Sequence, residues 1–201
     1  MKGFWVLAIV GTFAISGGAN AVSPDVRLTK IKYQGNGCPA GSVSVNILPN
    51  KRAIRAVFNN YSAQLIGQSG QSVKRCKLSM NLVLPKNRRV KLRQIRFRGF
   101  VDLPENAHAR MSRNYRFDNS TKKVTSNWQG KRYQEVVQRE PFNVGWSACG
   151  RDIKLEMDSF LEVISKTKLP SGVGVDSFNQ LNGRNYRGER GVKFLLDYTP
   201  C

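Results

Sequence analysis

An alternation of apolar and polar side chains runs through Ile153-Lys-Leu-Glu-Met-Asp-Ser-Phe-Leu-Glu-Val163. Successive side chains of a β-strand point to opposite faces, so this pattern predicts a strand with one buried and one solvated face. The same alternation recurs in Cys76-Lys-Leu-Ser-Met-Asn-Leu-Val-Leu84 and in Val192–Tyr198. Weaker versions occur at Val43–Ile47, Ile54–Phe58 and Tyr115–Phe117. Strands of this kind are typical of antiparallel sheets.

Turn-forming residues separate the predicted strands. These stretches are Gly35–Gly37, Pro49–Asn50, Gly67–Gly70, Pro104–Asn106 and Pro170–Gly174. No convincing amphipathic helix occurs, and the one candidate for a helical turn is Ala107–Ser112. About eight to ten short strands in one chain predict an all-β fold, an antiparallel β-sandwich with two disulfides. An open β-barrel is the alternative.

The N-terminal residues have the composition of a signal peptide. Met1-Lys2 gives a positive start, Phe4–Ile15 an apolar run, and Ala19-Asn-Ala21 a cleavage site of small residues. The apolar run is shorter than the roughly 20 residues that a bilayer-spanning helix takes. We therefore expect residues 1–21 to be a signal peptide. Residues 22–201 are then a single secreted or periplasmic domain without a membrane span; an uncleaved anchor is the alternative.

All four cysteines, Cys38, Cys76, Cys149 and Cys201, lie in the predicted mature chain. An even number of cysteines in an oxidising compartment indicates two disulfides. The cysteines are dozens of residues apart, and with a single histidine in the chain they do not have the spacing of a zinc site. We therefore predict no metal site.

Four cysteines allow three connectivities, and their pattern alone does not select one. One geometric argument favours Cys38–Cys201 with Cys76–Cys149. Cys38 precedes the strand-like run Ser42–Leu48, and Cys201 follows Val192–Tyr198. If these two strands paired antiparallel, the start of one would lie beside the end of the other.

The charge of the chain is strongly positive. The formal net charge is +20, and because Lys2 is the only charged side chain in the signal, the mature chain carries +19. Such an excess predicts attraction to polyanions such as nucleic acid, lipopolysaccharide or anionic glycans. The alternative is a basic surface that only keeps an exported protein soluble.

The basic residues are most concentrated between positions 86 and 98. The cluster consists of Lys86, Arg88, Arg89, Lys91, Arg93, Arg96 and Arg98. Beyond Gln94 the apolar residues move from even to odd positions. A β-bulge, which adds one residue to the strand, would return the cations on both sides of it to the same face. We call the resulting line the cationic ridge: Arg89, Lys91, Arg93, Arg96 and Arg98. Alternate residues of a strand are about 6.6 Å apart, a spacing that suits the repeating anions of a polymer. The alternative is a solvated face that discourages edge pairing.

A second basic stretch precedes the last predicted strand. Residues 182–191 carry Arg184 and Arg187 among several glycines. Glycine-arginine segments can bind nucleic acid, so both arginines are candidate binding residues. A mobile hairpin loop is the alternative.

The sequence offers no catalytic constellation. His108 lies in a polar, turn-like segment, which predicts an exposed loop histidine, and no nucleophile-elbow sequence occurs. Glu156, Asp158 and Glu162 share the outward parity of one strand, which indicates a solvated face whose acids pair with neighbouring Lys or Arg. We therefore predict no catalytic residue, no enzyme activity and no cofactor.

Several blocks of this chain resemble, in order, a known family of secreted proteins. The first block is Gly35-Asn-Gly-Cys-Pro-Ala-Gly-Ser-Val-Ser-Val45. The later blocks are Phe58-Asn-Asn-Tyr61, Cys76-Lys-Leu-Ser-Met-Asn-Leu82, Phe97-Arg-Gly-Phe-Val-Asp-Leu103, Trp146-Ser-Ala-Cys-Gly150 and Cys201. They are similar to domain-of-unknown-function family 4360 of fungi and bacteria. The resemblance covers nearly the whole mature chain and implies a secreted, disulfide-bonded, β-rich domain, but no activity.

The chain departs from this family in two respects. Family members are not characteristically so basic, and they often have aspartate where this chain has Asn59 and Asn60. If that acidic block bound a cation in relatives, this chain has lost the charge for it.

These observations favour a secreted or periplasmic, non-enzymatic binding protein for anionic polymers or envelope surfaces. The alternative is an envelope or host-interaction protein that binds another protein, with the charge incidental. An unrecognised hydrolase is a minor alternative. The oligomeric state stays open.

The first prediction concerns processing. Cleavage after Ala21 should leave Val22 as the mature N-terminus, and Ala21→Leu should block cleavage because the peptidase admits only small side chains there. N-terminal sequencing of the exported protein checks both outcomes. Recovery of a membrane-bound protein that still begins with Met1 would contradict the prediction.

Overall fold

Two antiparallel sheets pack face to face in the computed structural model, which describes residues 25–175 and 191–201. The first sheet contains β1 (Arg27–Gln34), β5 (Gly70–Val83), β7 (Ala107–Phe117), β8 (Ser120–Gln129) and β10 (Ile153–Ser165). The second contains β2 (Val43–Ile47), β3 (Ala53–Phe58), β4 (Ser62–Leu65), β6 (Arg88–Leu103), β9 (Arg132–Pro141), β11 (Ser171–Val175) and β12 (Val192–Pro200). The predicted signal peptide, Arg184 and Arg187 lie outside the described residues.

The sheet order explains how the sandwich is built. The five-stranded sheet has the order β1-β5-β10-β7-β8, and the seven-stranded sheet has β2-β3-β12-β6-β11-β4 with β9 on the other side of β6. The two sheets do not close into a barrel. The predicted β-sandwich is therefore confirmed, and the open barrel is wrong. Among the described residues, no helix is long and apolar enough to cross a membrane.

The alternating stretches form the inner faces of the sheets, as predicted. In β10, the residues Ile153, Leu155, Met157, Leu161 and Val163 are buried. Strand β5 pairs with β10 along its length and buries Leu78, Met80 and Leu82. Burial of these side chains between two sheets is the main favourable contribution to folding.

The predicted helical turn at Ala107–Ser112 is wrong, because these residues begin β7. Ala107, Ala109 and Met111 face the core, while His108 and Arg110 face solvent. The strand pairs with β10 on one side and with β8 on the other, and these ladders outweigh local helical propensity. His108 is exposed as predicted, but it lies on a strand and not in a loop.

Tyr61 connects the two sheets through the core. Its hydroxyl donates to the carbonyl oxygen of Ser159 in β10 at 3.0 Å, and burial raises its pKa. Gly37 packs directly against the ring, since a Cβ at that position would lie 2.2 Å from Tyr61 Cε2. The segment before Cys38 is therefore held close to β5 and β10.

The structure contains the two predicted disulfides, but the predicted pairing is wrong. The bridges are Cys38–Cys76 and Cys149–Cys201, with Cα–Cα distances of 5.4 and 6.0 Å. The geometric argument fails because β3 lies between β2 and β12, so the two terminal strands are not neighbours.

Backbone hydrogen bonds place each cysteine beside its actual partner. Gly37 N donates to Arg75 O at 2.9 Å, which sets Cys38 against Cys76, next to Lys77 at the end of the β1–β5 ladder. Cys201 N donates to Asn87 O at 3.1 Å and Gly150 N to Arg88 O at 2.8 Å, so both cysteines of the second bridge meet the start of β6.

A peptide map of the secreted protein tests this connectivity. Mass spectrometry should find the Cys38–Cys76 and Cys149–Cys201 linkages and no free thiol. Each bridge closes a loop long enough to stabilise the fold by about 4 kcal/mol, so reduction should lower the free energy of unfolding strongly. A Cys38–Cys201 linkage would contradict the sheet order as well as the pairing.

A buried ion pair joins the two sheets at their β7–β9 side. Arg113 Nη2 lies 2.9 Å from Glu140 Oε1, and the two side chains are 0% and 6% exposed. Arg113 also donates to Gln138, and its guanidinium lies 4.2 Å from the centroid of the Phe97 ring. Burial and the adjacent Glu140 carboxylate raise the pKa of Tyr115.

Arg113→Met tests the importance of this pair. It should lower the free energy of unfolding by about 3–5 kcal/mol, because the Glu140 carboxylate stays buried without its partner. Adding Glu140→Leu should recover most of that loss. Arg110→Met is the control, because Arg110 is 50% exposed in its pair with Glu162 and its loss should cost less than about 1 kcal/mol. Equal losses for the two single variants, measured by urea denaturation of the oxidised protein, would refute the role assigned to Arg113.

Candidate polyanion-binding surface

The cationic ridge lies on β6, and a β-bulge sets its geometry. Val90 and Leu92 are buried before the bulge, and Ile95 and Phe97 are buried after it. On the partner strand β12, Leu196 pairs with Leu92 and Leu195 with Gln94, so Arg93 is the extra residue. The bulge predicted from the parity change is confirmed, one position before Gln94. It places the cations of both halves of β6 on the outer face of the seven-stranded sheet.

Acidic and aromatic neighbours engage the first half of the ridge. Asp197 of β12 lies 3.9 Å from Lys91 and 3.6 Å from Arg93. The Trp146 ring centroid lies 5.8 Å from the Arg89 guanidinium and 4.8 Å from Lys91 Nζ. This part of the ridge therefore carries less free positive charge than its sequence indicates.

The second half of the ridge meets further cations on the neighbouring strands. Arg96 pairs in register with Lys193 of β12 on one side and with Arg139 of β9 on the other. Lys193 pairs in turn with Arg55 of β3. We call these four residues, Arg55, Lys193, Arg96 and Arg139, the cationic row. It crosses four adjacent strands about 4.8 Å apart, at right angles to the ridge.

The cationic row and the ridge cross at Arg96. Around this point lies a shallow depression of about 200 Å³ lined by Arg96, Arg98, Arg139 and Lys193, with Phe97, Val137 and Gly191. Arg96 and Arg139 are exposed, whereas Lys193 is only 6% exposed. We call the four cations that line this depression the basic patch. Arg98 lies at one side of the patch and pairs with Glu135. Two exposed arginines, Arg96 and Arg139, therefore lie side by side at the crossing point.

The remaining predicted binding residues do not join this patch. Arg88 lies two residues before buried Val90 in β6, so its side chain is not on the outer face with the ridge. Its backbone carbonyl accepts a hydrogen bond from Gly150 N. Lys86 precedes β6, where its backbone packs against Gly150. Arg184 and Arg187 lie outside the described residues, so their role stays a prediction.

Sequence reasoning missed three members of the cationic row. Arg55 and Lys193 are single cations within apolar runs, and Arg139 belongs to β9, whose sequence does not alternate cleanly. Their outward parity was readable for Arg55 and Lys193. Their convergence on Arg96 depends on strand order and register, which local patterns do not determine.

The acidic residues of β10 behave as the sequence predicted. Glu156 lies 2.9 Å from Lys154 and 3.5 Å from Arg116, and the hydrogen bond from Lys154 lowers the pKa of its carboxyl group. Glu162 lies 3.1 Å from Arg110. These acids lie on a solvated face among cations, an arrangement unlike the facing carboxylates of a glycosidase cleft.

Known proteins resemble this chain along most of its length. Residues 24–187 match the family described as Domain of unknown function (DUF4360). An uncharacterized secreted protein of Arthroderma benhamiae is 26% identical over 167 residues, which cover 79% of this chain and 68% of that protein. The structure of TmCBM61 in complex with beta-1,4-galactotriose aligns over 86% of this chain and 89% of its own, with 8% identity. Its TM-score of 0.28 supports no inference.

The localisation follows from these findings. The relative is a secreted protein, and the two disulfides fit an oxidising compartment. The predicted secreted or periplasmic localisation is confirmed.

Proposed function

This chain belongs to the DUF4360 family, and we propose that it is a non-enzymatic binding protein whose basic sheet face holds anionic polymers. The proposed ligand is an anionic glycan, lipopolysaccharide or nucleic acid. The proposed domain is residues 22–201, with residues 1–21 removed on export. The observation that carries the proposal is the cationic row, in which four basic side chains are direct cross-strand neighbours.

The cost of assembling this row supports a binding role. Like charges directly opposite each other on a sheet are destabilising. Solubility alone therefore does not explain why these basic residues lie opposite one another. A bound anion would relieve the repulsion between Arg96 and its cross-strand neighbours. Guanidinium groups also bind carboxylate, sulfate and phosphate groups through two parallel hydrogen bonds, and three of the four residues are arginine.

The spacing of the cations suits a repeating polymer. Alternate residues of the ridge are about 6.6 Å apart along β6, and neighbouring strands of the row are about 4.8 Å apart, while the exposed cations at their crossing are Arg96 and Arg139. A polymer with regular anions could engage either direction through Arg96. The Trp146 ring contacts two ridge cations, Arg89 and Lys91. It is one aromatic ring beside a run of cations, whereas dedicated grooves for single-stranded nucleic acids stack successive bases on several rings, so we favour an anionic glycan.

A charge-removal variant tests the proposal. Arg93, Arg96 and Arg139 are exposed, so changing all three to Gln should preserve the fold. The variant should elute from a heparin matrix at lower salt than the unmodified protein. The slope of log K against log salt should fall by about 2 to 3, because each lost contact removes roughly one released counterion.

The matched control removes the same charge elsewhere. Lys123, Lys166 and Lys168 are exposed and lie outside the ridge and the row, and the triple Gln variant carries the same net charge. The control should stay close to the unmodified protein in both elution and slope. Equal losses in the two variants would mean diffuse attraction without a site. Failure of the unmodified protein to bind at physiological salt would favour the alternative, a protein partner with the charge incidental.

A further inference from the structure

A depression lined by described residues lies at one end of the sandwich. It has a volume of about 560 Å³. Three connections meet there: the β6–β7 turn, the β8–β9 turn and the link from β10 to β11. Asp102, at one wall, is six residues along β6 from Arg96, so the depression is about 20 Å from the centre of the basic patch.

Hydrogen bonds between the connections fix the shape of this depression. Gly130 N donates to Ala107 O at 3.1 Å, which joins the β8–β9 turn to the start of β7. Lys166 N donates to Asn106 O at 3.3 Å, which joins the end of β10 to the β6–β7 turn. A cavity whose walls are already tied together loses little entropy when a ligand enters.

The depression has an exposed apolar wall. Tyr133 is 51% exposed and Leu169 is 58% exposed, although both are large hydrophobic residues. Pro104 and Pro170 extend the same wall. Apolar groups that face solvent around a concavity are typical of ligand sites.

Polar groups line the rest of the depression. Asp102 is the cross-strand neighbour of Tyr133, and partial burial raises the pKa of its carboxyl group. Glu105, Asn106 and Thr167 add a carboxylate, an amide and a hydroxyl. In the part of the chain that the structure describes, neither Asp102 nor Glu105 forms a salt bridge. Their oxygens are therefore available to accept hydrogen bonds from a ligand.

The charges around the depression balance. Two acids, Asp102 and Glu105, are matched by two bases, Lys131 and Arg132, so the lining carries no net charge. A neutral lining does not select the anions that the basic patch attracts. The ligand that complements it is uncharged, with one apolar face and many hydroxyl groups.

We propose that this depression binds a neutral saccharide. The Tyr133 ring and Leu169 would contact the apolar C–H face of a sugar ring, while Asp102, Glu105 and Asn106 bind its hydroxyls. The site is separate from the basic patch, so the protein carries two ligand surfaces of different chemistry. The proposal does not depend on polyanion binding.

An array of neutral oligosaccharides, probed with the oxidised secreted protein in about 0.5 M NaCl, tests the proposal, because that salt screens the basic patch. We expect retention of at least one oligosaccharide. Tyr133→Ala should weaken binding of that oligosaccharide roughly tenfold in calorimetric titration, whereas Tyr133→Phe keeps the ring and should bind within about threefold. Asp102→Asn should also weaken binding, because it removes a charged acceptor.

Ile66→Ala is the matched control, since Ile66 is an apolar side chain with 61% exposure outside this depression. It should bind like the unmodified protein. Absence of any retained neutral oligosaccharide would overturn the proposal, as would unchanged binding by Tyr133→Ala. Capture of extended peptides that is lost in Tyr133→Ala, without saccharide binding, would assign the depression to peptides instead. Heparin retention of Tyr133→Ala should be unchanged. Failure of the saccharide proposal can therefore be distinguished from failure of the polyanion proposal.

Discussion

The Arg113–Glu140 ion pair sets the register of β9, and both proposed surfaces depend on that register. Glu140 and Gln138 face inward to meet Arg113 of the opposite sheet. The alternation of a strand then places Arg139, Val137, Glu135 and Tyr133 on the outer face. A slip of one residue would turn all these side chains inward and expose the buried carboxylate. The pair therefore determines that Arg139 lies beside Arg96 and that Tyr133 lies beside Asp102.

Strand β6 is the second element that both surfaces share. Its bulge at Arg93 lets the strand keep Val90 and Leu92 in the core before it and Ile95 and Phe97 after it. Without the extra residue, either the core residues or the cations of one half would face the wrong side. The same strand continues to Asp102, where it meets the β8–β9 and β10–β11 connections. Both the basic patch and the depression depend on β6. Its bulge keeps the apolar residues in the core and the cations on the outer face along the whole strand.

The sequence was sufficient for features that depend on local periodicity. Strands β5, β10 and β12, the two-layer architecture and the bulge could all be predicted, because apolar alternation records which face is buried. Strand β9 could not, since its inward positions include Glu140 and Gln138, whose burial depends on Arg113 in a distant strand. The disulfide pairing failed for the same reason, because β3 lies between strands assumed to be neighbours. Register and strand order are non-local, and both the cationic row and the depression require them.

The cationic row has a consequence for the stability of the protein. Repulsion between Arg96 and Arg139 raises the free energy of the folded chain, whereas the unfolded chain separates these charges. The disulfides and the two-sheet core supply stability that offsets this repulsion. An anion that binds only the folded chain should therefore raise its stability by mass action and by relief of this repulsion. Changing Arg96 and Arg139 to Gln should therefore make the unbound protein more stable; if the row is the proposed polyanion surface, the same change should weaken binding, so stability and binding should change in opposite directions.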